Sequence, residues 1–293
     1  MQFIAYILIY PFLLLISILP FRLLYVLSDL IYVLIYKVFG YRKKVVIENL
    51  NLVFPEKSKH EINKITKAFY HHLCDLIVES IKSMTISETQ IANRMILTNI
   101  EEIHRAEKAN KSIVLMMAHY GNWEWTFILQ KDMNHINYAI YKRIENKYFD
   151  RLIKRIRAKY NSYLITTKET ISILTQSKEK GELTINGFAS DQTPKLNKAH
   201  HWNNFMGIKV PLHTGAEMLA KKLDMSVMYL GIKKIKRGFY EATLTNLADN
   251  ARDFNNYEIT DAFLKLVEQQ INEAPEYYLW THKRWKHRDK VPE

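Results

Sequence analysis

Residues 112–125, SIVLMMAHYGNWEW, contain the side chains best suited to chemistry. An apolar run ends at His119, and Glu124 follows five residues later between two tryptophans. On one continuous helix this spacing would separate the two side chains by about 140°. They can meet only if His119 lies in a turn and Glu124 in the first turn of the helix that follows. Gly121 makes such a turn possible, since glycine tolerates conformations that other residues avoid.

Three catalytic parts would converge at this turn. Histidine is a base that titrates near neutral pH, a carboxylate can orient it, and the first N–H groups of a helix lack internal partners. We expect His119 to be the base and Glu124 its acidic partner. Backbone N–H groups near Gly121 and Asn122 would hold an oxyanion. Together these parts could deprotonate an alcohol and stabilise a tetrahedral intermediate.

Each of these residues also has an ordinary structural explanation. An acid in a first helical turn complements the helix dipole, and a histidine at a strand end is often only hydrogen-bonded. Trp123 and Trp125 are more often packing residues than substrate contacts. The chain has no G-x-S-x-G motif, and its one cysteine, Cys74, falls in a predicted helix. The pattern therefore favours direct attack by a substrate hydroxyl over an acyl-enzyme.

The elements around this stretch alternate between strands and helices. Strands are predicted at 112–118, 137–142, 182–191, 226–233 and 239–245, and helices at 58–84, 101–110, 122–132, 146–160, 168–181, 214–223 and 259–274. This alternation predicts an α/β fold, a sheet flanked by helices. Sites in such sheets gather where strands end, and His119, Arg143 and Asp191 all lie at such ends.

The first forty residues differ from the rest. Residues 1–21 carry no charged side chain, and about 20 apolar residues suffice to cross a bilayer. A positive n-region and a small-residue cleavage site are missing, which favours a retained membrane anchor over a signal peptide. A second apolar segment, 23–39, contains Asp29 and suits an interfacial helix. We expect an anchor at 1–40, a helical segment at 41–110 and an α/β core at 111–293.

The charge balance favours acidic partners. The 293 residues carry a formal net charge of +12, which suits anionic lipid, an acidic carrier protein or nucleic acid. One basic helix is predicted, with side chains that could dock such a partner or simply be solvated: Lys147, Arg151, Lys154, Arg155, Arg157 and Lys159. Near the C-terminus, aromatic and basic groups alternate as in a membrane-interface belt, although nucleic-acid binding uses similar chemistry: Trp280, His282, Arg284, Trp285 and Lys286. No spacing of cysteines and histidines resembles a zinc site.

Several motifs in order resemble one family. They are H-Y-G-N-W-E at 119–124, N-L-x-x-x-F-P at 49–55, Y-K-R at 141–143 with N-x-x-F-D at 146–150, D-Q at 191–192, F-M-G at 205–207, and P-E-x-Y-x-W-x-H-x-R-x-K at 275–286. The chain resembles the late acyltransferases of lipid A biosynthesis, the lauroyl/myristoyl transferases of the lysophospholipid acyltransferase superfamily. It departs from them where T-P follows D-Q and where Asn204 and Met206 flank Phe205.

The resemblance implies a glycerolipid acyltransferase-like fold and an O-acyltransferase of the bacterial inner membrane, facing the cytoplasm. The donor would be a thioester on acyl carrier protein or CoA, and the acceptor a hydroxyl of a phosphorylated glycolipid, a lipid A precursor. It implies neither a metal, nor another cofactor, nor nucleic acid. His119 would be the base, Glu124 its partner, and Arg143, Asp191 and Gln192 would bind substrate.

Three alternatives stay open. The acceptor could be an aminolipid, another glycolipid or a lysophospholipid. Water could replace the alcohol, which would make the protein a membrane-bound thioesterase. The chain could also be a basic binder of membranes or nucleic acid without enzymatic activity, in which case His119 would be dispensable.

Overall fold

A seven-stranded mixed sheet forms the centre of the molecule. The computed structural model describes residues 1–292, with the backbone alone for 128–132. The strands are β1 Met95–Thr98, β2 Ile113–Met117, β3 Ile136–Tyr141, β4 Ser162–Thr166, β5 Thr184–Ala189, β6 Trp202–Phe205, β7 Ile208–Pro211, β8 Ser226–Lys236 and β9 Phe239–Ala248. The order is β1-β9-β8-β2-β5-β3-β4, with β8 and β9 antiparallel and the other pairs parallel, while β6 and β7 form a separate hairpin.

Helices cover both faces of this sheet. They are α1 Gln2–Ile18, α2 Phe21–Tyr32, α3 Lys43–Val53, α4 Lys59–Lys82, α5 Glu88–Ala92, α6 Glu101–Lys108, α7 Lys147–Ala158, α8 Thr170–Glu179, α9 Gly215–Leu223 and α10 Glu258–Glu273. Alternate residues of β2 enter two separate apolar clusters, Val114 and Met116 in one and Ile113, Leu115 and Met117 in the other. This alternation is expected of a strand buried on both faces. The predicted α/β class, a mixed sheet flanked by helices, is confirmed.

The position of β2 determines where the site lies. β2 pairs in parallel with β5 on one side and β8 on the other, and all five of its residues are buried. Because parallel strands end at the same edge, the residues after β2 and β5 become neighbours. His119 follows β2 and Asp191 follows β5, so the sheet brings these two residues together.

Two predicted local features of the helices can be compared with the structure. The capping box at the start of α4 is present: the Ser58 hydroxyl accepts from the Glu61 N–H, and the Glu61 carboxylate accepts from the Ser58 N–H. The helix predicted at 122–132 is a 3₁₀ helix, Trp123–Asp132. It begins after Asn122, whose side-chain oxygen accepts from the Trp125 N–H.

The sequence pattern did not predict β1, β4 or the β6–β7 hairpin. β1 and β4 are the two edge strands, only four and five residues long, and β1 lies within the predicted helical segment 41–110. Short edge strands are partly solvated, so they lack the apolar run that identified β2. The division at residue 110 stays a prediction.

The N-terminal helices expose many apolar side chains. On α1 these are Phe3, Ile4, Ile7, Leu8, Ile9, Phe12, Leu15 and Ile18, and on α2 they are Leu23, Val26 and Leu30. A π-helical turn, Val33–Val38, continues α2. Within residues 1–292, every single helix falls short of the length and apolarity that a bilayer crossing needs. One pair bent by 84°, Phe21–Val38 and Lys43–Val53, reaches that threshold only when counted together.

The C-terminal segment packs against the core. Trp280, Arg284 and Trp285 are each at most 1% exposed, and the two indoles stack on one another. The interpretation of these residues as a membrane-interface belt is therefore wrong. Their aromatic and basic composition suits a buried cluster equally well, and the sequence pattern does not distinguish the two.

Candidate active site

His119 lies in the turn after β2, and backbone hydrogen bonds to the C-terminal segment fix this turn. The His119 carbonyl oxygen accepts from the Leu279 N–H at 3.0 Å, and the Gly121 N–H donates to the Tyr277 carbonyl oxygen at 3.0 Å. Gly121 has a φ of +55°, and a Cβ placed there would lie 2.7 Å from Cγ2 of Ile232. Both the backbone conformation and the close packing therefore require glycine.

A buried carboxylate holds the His119 ring. Nδ1 of His119 lies 2.7 Å from Oδ1 of Asp191, and the same oxygen accepts from the His119 backbone N–H at 3.1 Å. Asp191 is 1% exposed, and burial and, next, the charge of the nearby Asp191 raise the pKa of Tyr278. A carboxylate at Nδ1 favours the tautomer with the proton on that nitrogen. Nε2 is then left as the basic nitrogen.

The electrostatics of this pair stabilise the charged imidazolium. Burial by itself lowers the pKa of His119, but the Asp191 charge, its hydrogen bond and the Glu124 charge together raise that pKa above its ordinary value. Burial raises the pKa of Asp191, and the His119 charge and hydrogen bonds outweigh it, so the net shift is downward. An imidazole that gains a proton during a reaction is therefore stabilised here.

Glu124 lies in the first turn of the 3₁₀ helix, as the spacing requires. Among the described residues, however, no hydrogen bond joins Glu124 to His119. Its carboxylate forms a short ion pair with Arg157 of α7, and its side chain is 36% exposed. The carboxylate bonded to His119 is instead Asp191. Asp191 was expected to bind substrate, and the parallel pairing of β2 with β5 explains why it lies beside His119 instead.

The turn also presents unpaired backbone N–H groups. Within residues 1–292, the N–H groups of Asn122, Trp123 and Glu124 have no hydrogen-bond acceptor. The Gly121 N–H, predicted as an oxyanion donor, is already bonded to Tyr277. Asn122 is fully buried, so the unpaired N–H groups that a substrate can reach are those of Trp123 and Glu124, at the start of the 3₁₀ helix.

The two tryptophans differ in environment. Trp125 is fully buried, packs edge-to-face on Phe21 and Tyr240, and donates its indole N–H to the Glu79 carbonyl oxygen. Trp123 is half-buried, and its ring lies 5.3 Å from the His119 ring, edge to face. Trp125 is thus a core residue, whereas Trp123 forms one side of the site beside the base.

Arg143 and Gln192 are the remaining predicted residues. Arg143 follows β3 and is exposed, and the described residues give its side chain no hydrogen bond or ion pair. Gln192 is half-buried and directly follows Asp191. The structure therefore brings His119, Asp191 and Glu124 close together, and Gln192 directly follows Asp191. Arg143 lies at the surface, without a side-chain partner among the described residues.

The sequence pattern missed two residues of the site, Tyr278 and Arg157. Tyr278 belongs to the matched P-E-x-Y segment, but nothing in a single sequence indicates that it lies near the Asp191 charge. Arg157 was grouped with the other cations of α7, although it faces inward and binds Glu124. Among the described residues, no cluster of three or more His, Cys, Asp or Glu side chains is arranged to hold a metal ion.

A histidine held by a buried acid, next to a second acid and free backbone N–H groups, is an arrangement that can transfer a proton and stabilise an oxyanion. The family profile described as bacterial lipid A biosynthesis acyltransferase matches residues 2–287. The chain belongs to this family, and it is an acyltransferase.

Two curated relatives show how distant the similarity is. A lipid A biosynthesis palmitoleoyltransferase of Escherichia coli (strain K12) is 22% identical over 253 residues, covering 84% of this chain and 79% of that protein. A lipid A biosynthesis lauroyltransferase of the same organism is 24% identical over 256 residues, covering 84% of this chain and 80% of that protein.

Proposed function

We propose that the protein transfers a fatty acyl group from a thioester, on acyl carrier protein or CoA, to a hydroxyl of a lipid A precursor. The observation that carries this proposal is the His119–Asp191 hydrogen bond at 2.7 Å beside unpaired N–H groups. The names of the relatives, a palmitoleoyltransferase and a lauroyltransferase of lipid A, support a fatty acyl chain and a lipid A acceptor.

The reaction begins with proton transfer from the acceptor hydroxyl to Nε2 of His119. Nδ1–H stays bonded to Asp191, whose charge stabilises the imidazolium that forms. The Glu124 charge, held in place by Arg157, adds to this stabilisation. Because the protonated form of His119 is stabilised as the proton is transferred, the barrier to alkoxide formation is lowered.

The alkoxide oxygen then attacks the thioester carbonyl carbon. The negative charge moves to the carbonyl oxygen, where the N–H groups of Trp123 and Glu124, two partly exposed residues, donate to it. Collapse of the intermediate breaks the C–S bond, forms the ester, and returns the proton from His119 to the leaving sulfur. Every step uses side chains and backbone groups already present at the turn.

The surface around the site fits a phosphorylated lipid. Arg143 is exposed and unpaired in the described part of the chain, and a guanidinium binds phosphate through paired hydrogen bonds. Gln192 would contact a polar group of the substrate. Four exposed cations of α7, Lys147, Arg151, Lys154 and Arg155, could attract anionic headgroups or an acidic carrier protein.

Membrane association belongs to the same proposal. The exposed apolar side chains of α1 and α2 would enter the bilayer, and α1 packs against α7 through Tyr6 and Phe149, next to its cations. Apolar surface beside basic groups suits the interface of an anionic membrane. The site would then face the cytoplasmic side of the bacterial inner membrane, where acyl thioesters are present.

A transfer assay with purified protein tests the proposal. The full chain in detergent is incubated with lauroyl-acyl carrier protein or lauroyl-CoA, with and without a lipid A precursor. We expect the precursor to gain one acyl chain in mass spectra, and little free fatty acid to appear without an acceptor. Release of free fatty acid at the same rate without the acceptor would instead identify a thioesterase, and activity in His119→Ala would overturn the mechanism.

A further inference from the structure

A buried polar face of α4 lies directly beneath the active-site turn. His72, Asp75 and Glu79 lie three and four residues apart, so they share one side of the helix. All three are at most 3% exposed, although buried acids are rare unless they have partners. Neither the proposed proton transfers nor the substrate contacts use these residues, so their position needs another explanation.

Glu79 contacts both ends of the segment that carries the free N–H groups. Its Oε2 accepts from the Asn122 side-chain amide at 2.7 Å, and its backbone carbonyl oxygen accepts from the Trp125 indole N–H at 3.2 Å. Asn122 in turn accepts from the Trp125 N–H through its side-chain oxygen. Trp123 and Glu124, which provide two of the three free N–H groups, therefore lie between two residues anchored on Glu79.

Two tyrosines complete the surroundings of the Glu79 carboxylate. Tyr25 of α2 donates to Oε1 at 2.8 Å, and Tyr240 of β9 donates to Oε2 at 2.8 Å. Burial raises the pKa of Glu79 to about 7, and the hydrogen bonds from both tyrosines oppose that rise. Three buried donors surround this carboxylate, and each of them needs an oxygen as acceptor. The surroundings therefore hold the Glu79 side chain in one position.

His72 holds the neighbouring peptide unit from the same helix. Its Nε2 lies 3.3 Å from the Gly121 carbonyl oxygen, and the Lys234 ammonium donates to its Nδ1 at 3.2 Å. Since Lys234 occupies the lone pair of Nδ1, the proton lies on Nε2 and is donated to Gly121. α4 therefore contacts Gly121 through His72 and Asn122 through Glu79.

We infer that Glu79 is a positioning residue for acyl transfer. Its carboxylate holds the Asn122 side chain, which in turn holds the Trp125 N–H, so that the N–H groups between these two residues face the reacting carbonyl. This inference rests on the proposed function, since it assigns a purpose to the same turn. A shift of about 1 Å in such donors lowers the rate by about 10²-fold without weakening substrate binding.

The test compares Glu79→Met with Glu79→Gln and a control on the same helix. Methionine has a similar length and no acceptor, while glutamine keeps one oxygen that Asn122 can use. Thr66→Val is the matched control: Thr66 is fully buried on α4 and bonds only the Ile62 carbonyl oxygen. All variants are made in the full chain in detergent.

Two readouts are measured on these variants. In hydrogen–deuterium exchange, Glu79→Met should speed exchange in the peptide covering 118–127, and Thr66→Val should not. In the transfer assay, Glu79→Met should lower kcat by about 10²-fold at unchanged KM, while Glu79→Gln should recover most of that loss. The double variant Glu79→Met with Asn122→Ala should have nearly the same kcat as Asn122→Ala alone, because both substitutions remove one contact.

The two readouts separate this inference from the proposed function. Wild-type exchange rates in the 118–127 peptide of Glu79→Met would overturn the inference whether or not the protein transfers acyl groups. A kcat of Glu79→Met no lower than that of Thr66→Val would also overturn it. An inactive wild-type protein would count against the proposed function, and the exchange comparison would still decide the role of Glu79.

Discussion

Two carboxylates lie near His119, and they occupy very different surroundings. Asp191, which follows β5, has a side chain that is 1% exposed and is bonded to the imidazole and to the backbone N–H of His119. Glu124, at the start of the 3₁₀ helix, is 36% exposed and is paired with Arg157. The buried acid fixes the ring and its tautomer, whereas the exposed acid acts through its charge.

This difference shows why motif spacing alone is an incomplete guide. The sequence motif joins His119 to Glu124 because they are close along the chain. The sheet joins His119 to Asp191, 72 residues away, because β2 and β5 are parallel neighbours. Charge interactions act over several ångströms, so Glu124 can influence the base without touching it, while orientation requires direct contact.

The largest expected effect is that of Asp191→Asn. An amide can hold either imidazole tautomer and carries no charge, so the proton would no longer be confined to Nδ1. We expect kcat to fall by about 10³-fold with little change in KM. Steady-state kinetics of the purified variant measure this loss, with Asp261→Asn as the control, since Asp261 forms a corresponding pair with His201. A loss smaller than that of Glu124→Gln would reverse the roles assigned to the two acids.

Glu124→Gln should have the second largest effect. It removes a charge near the imidazolium but leaves the hydrogen bond to Asp191 intact, so we expect kcat to fall by about 10²-fold. The same transfer assay measures it. If Glu124→Gln and Asp191→Asn have equal effects that do not add in the double variant, the acids act as one unit and the distinction between them is lost.

Arg157→Met should lower kcat by a smaller factor, about tenfold. The substitution leaves Glu124 charged but free to move, because the ion pair from α7 is gone. Lys108→Met is the control, since Lys108 is an exposed cation on a different helix, α6. Equal activity in the two variants would show that the position of Glu124 does not depend on its ion pair.

The smallest effects should appear in the pH dependence. Protonated His119 cannot act as a base, so kcat/KM should rise with pH through the pKa of His119, which lies above its ordinary value. Removing either negative charge lowers that pKa, so the acid limb of the profile should move to lower pH. The shift should be larger for Asp191→Asn than for Glu124→Gln, since Asp191 adds a hydrogen bond. Profiles that coincide with the wild-type profile would contradict this account.

The sequence predicted the buried elements of the fold well. β2 is an unbroken apolar run and β8 begins with one, and α4 has both a helical apolar period and a capping box, so their positions follow from local pattern. β1 and β4 are short edge strands without such a pattern. The interpretation of Trp280 and Trp285 failed because aromatic and basic residues occur together both in cores and at membrane surfaces.

The site could be predicted only as far as local spacing reaches. His119, Gly121, Asn122 and Glu124 form one continuous turn, and their placement follows from helix geometry. The contacts of Asp191, Tyr278 and Glu79 depend on strand order and on packing between distant segments, which one sequence does not contain. The hydrogen bond from the Gly121 N–H to the Tyr277 carbonyl oxygen is equally unpredictable, since it requires the C-terminal segment to lie beside the turn.

The central claim is that His119 transfers an acyl chain to a lipid A precursor. Mass spectrometry of lipid A from cells with the gene, cells without it, and cells carrying only His119→Ala tests it most directly. The account predicts that lipid A from the deletion and from the His119→Ala strain lacks the same one acyl chain, which the wild-type gene restores. Identical lipid A in all three strains would contradict the claim.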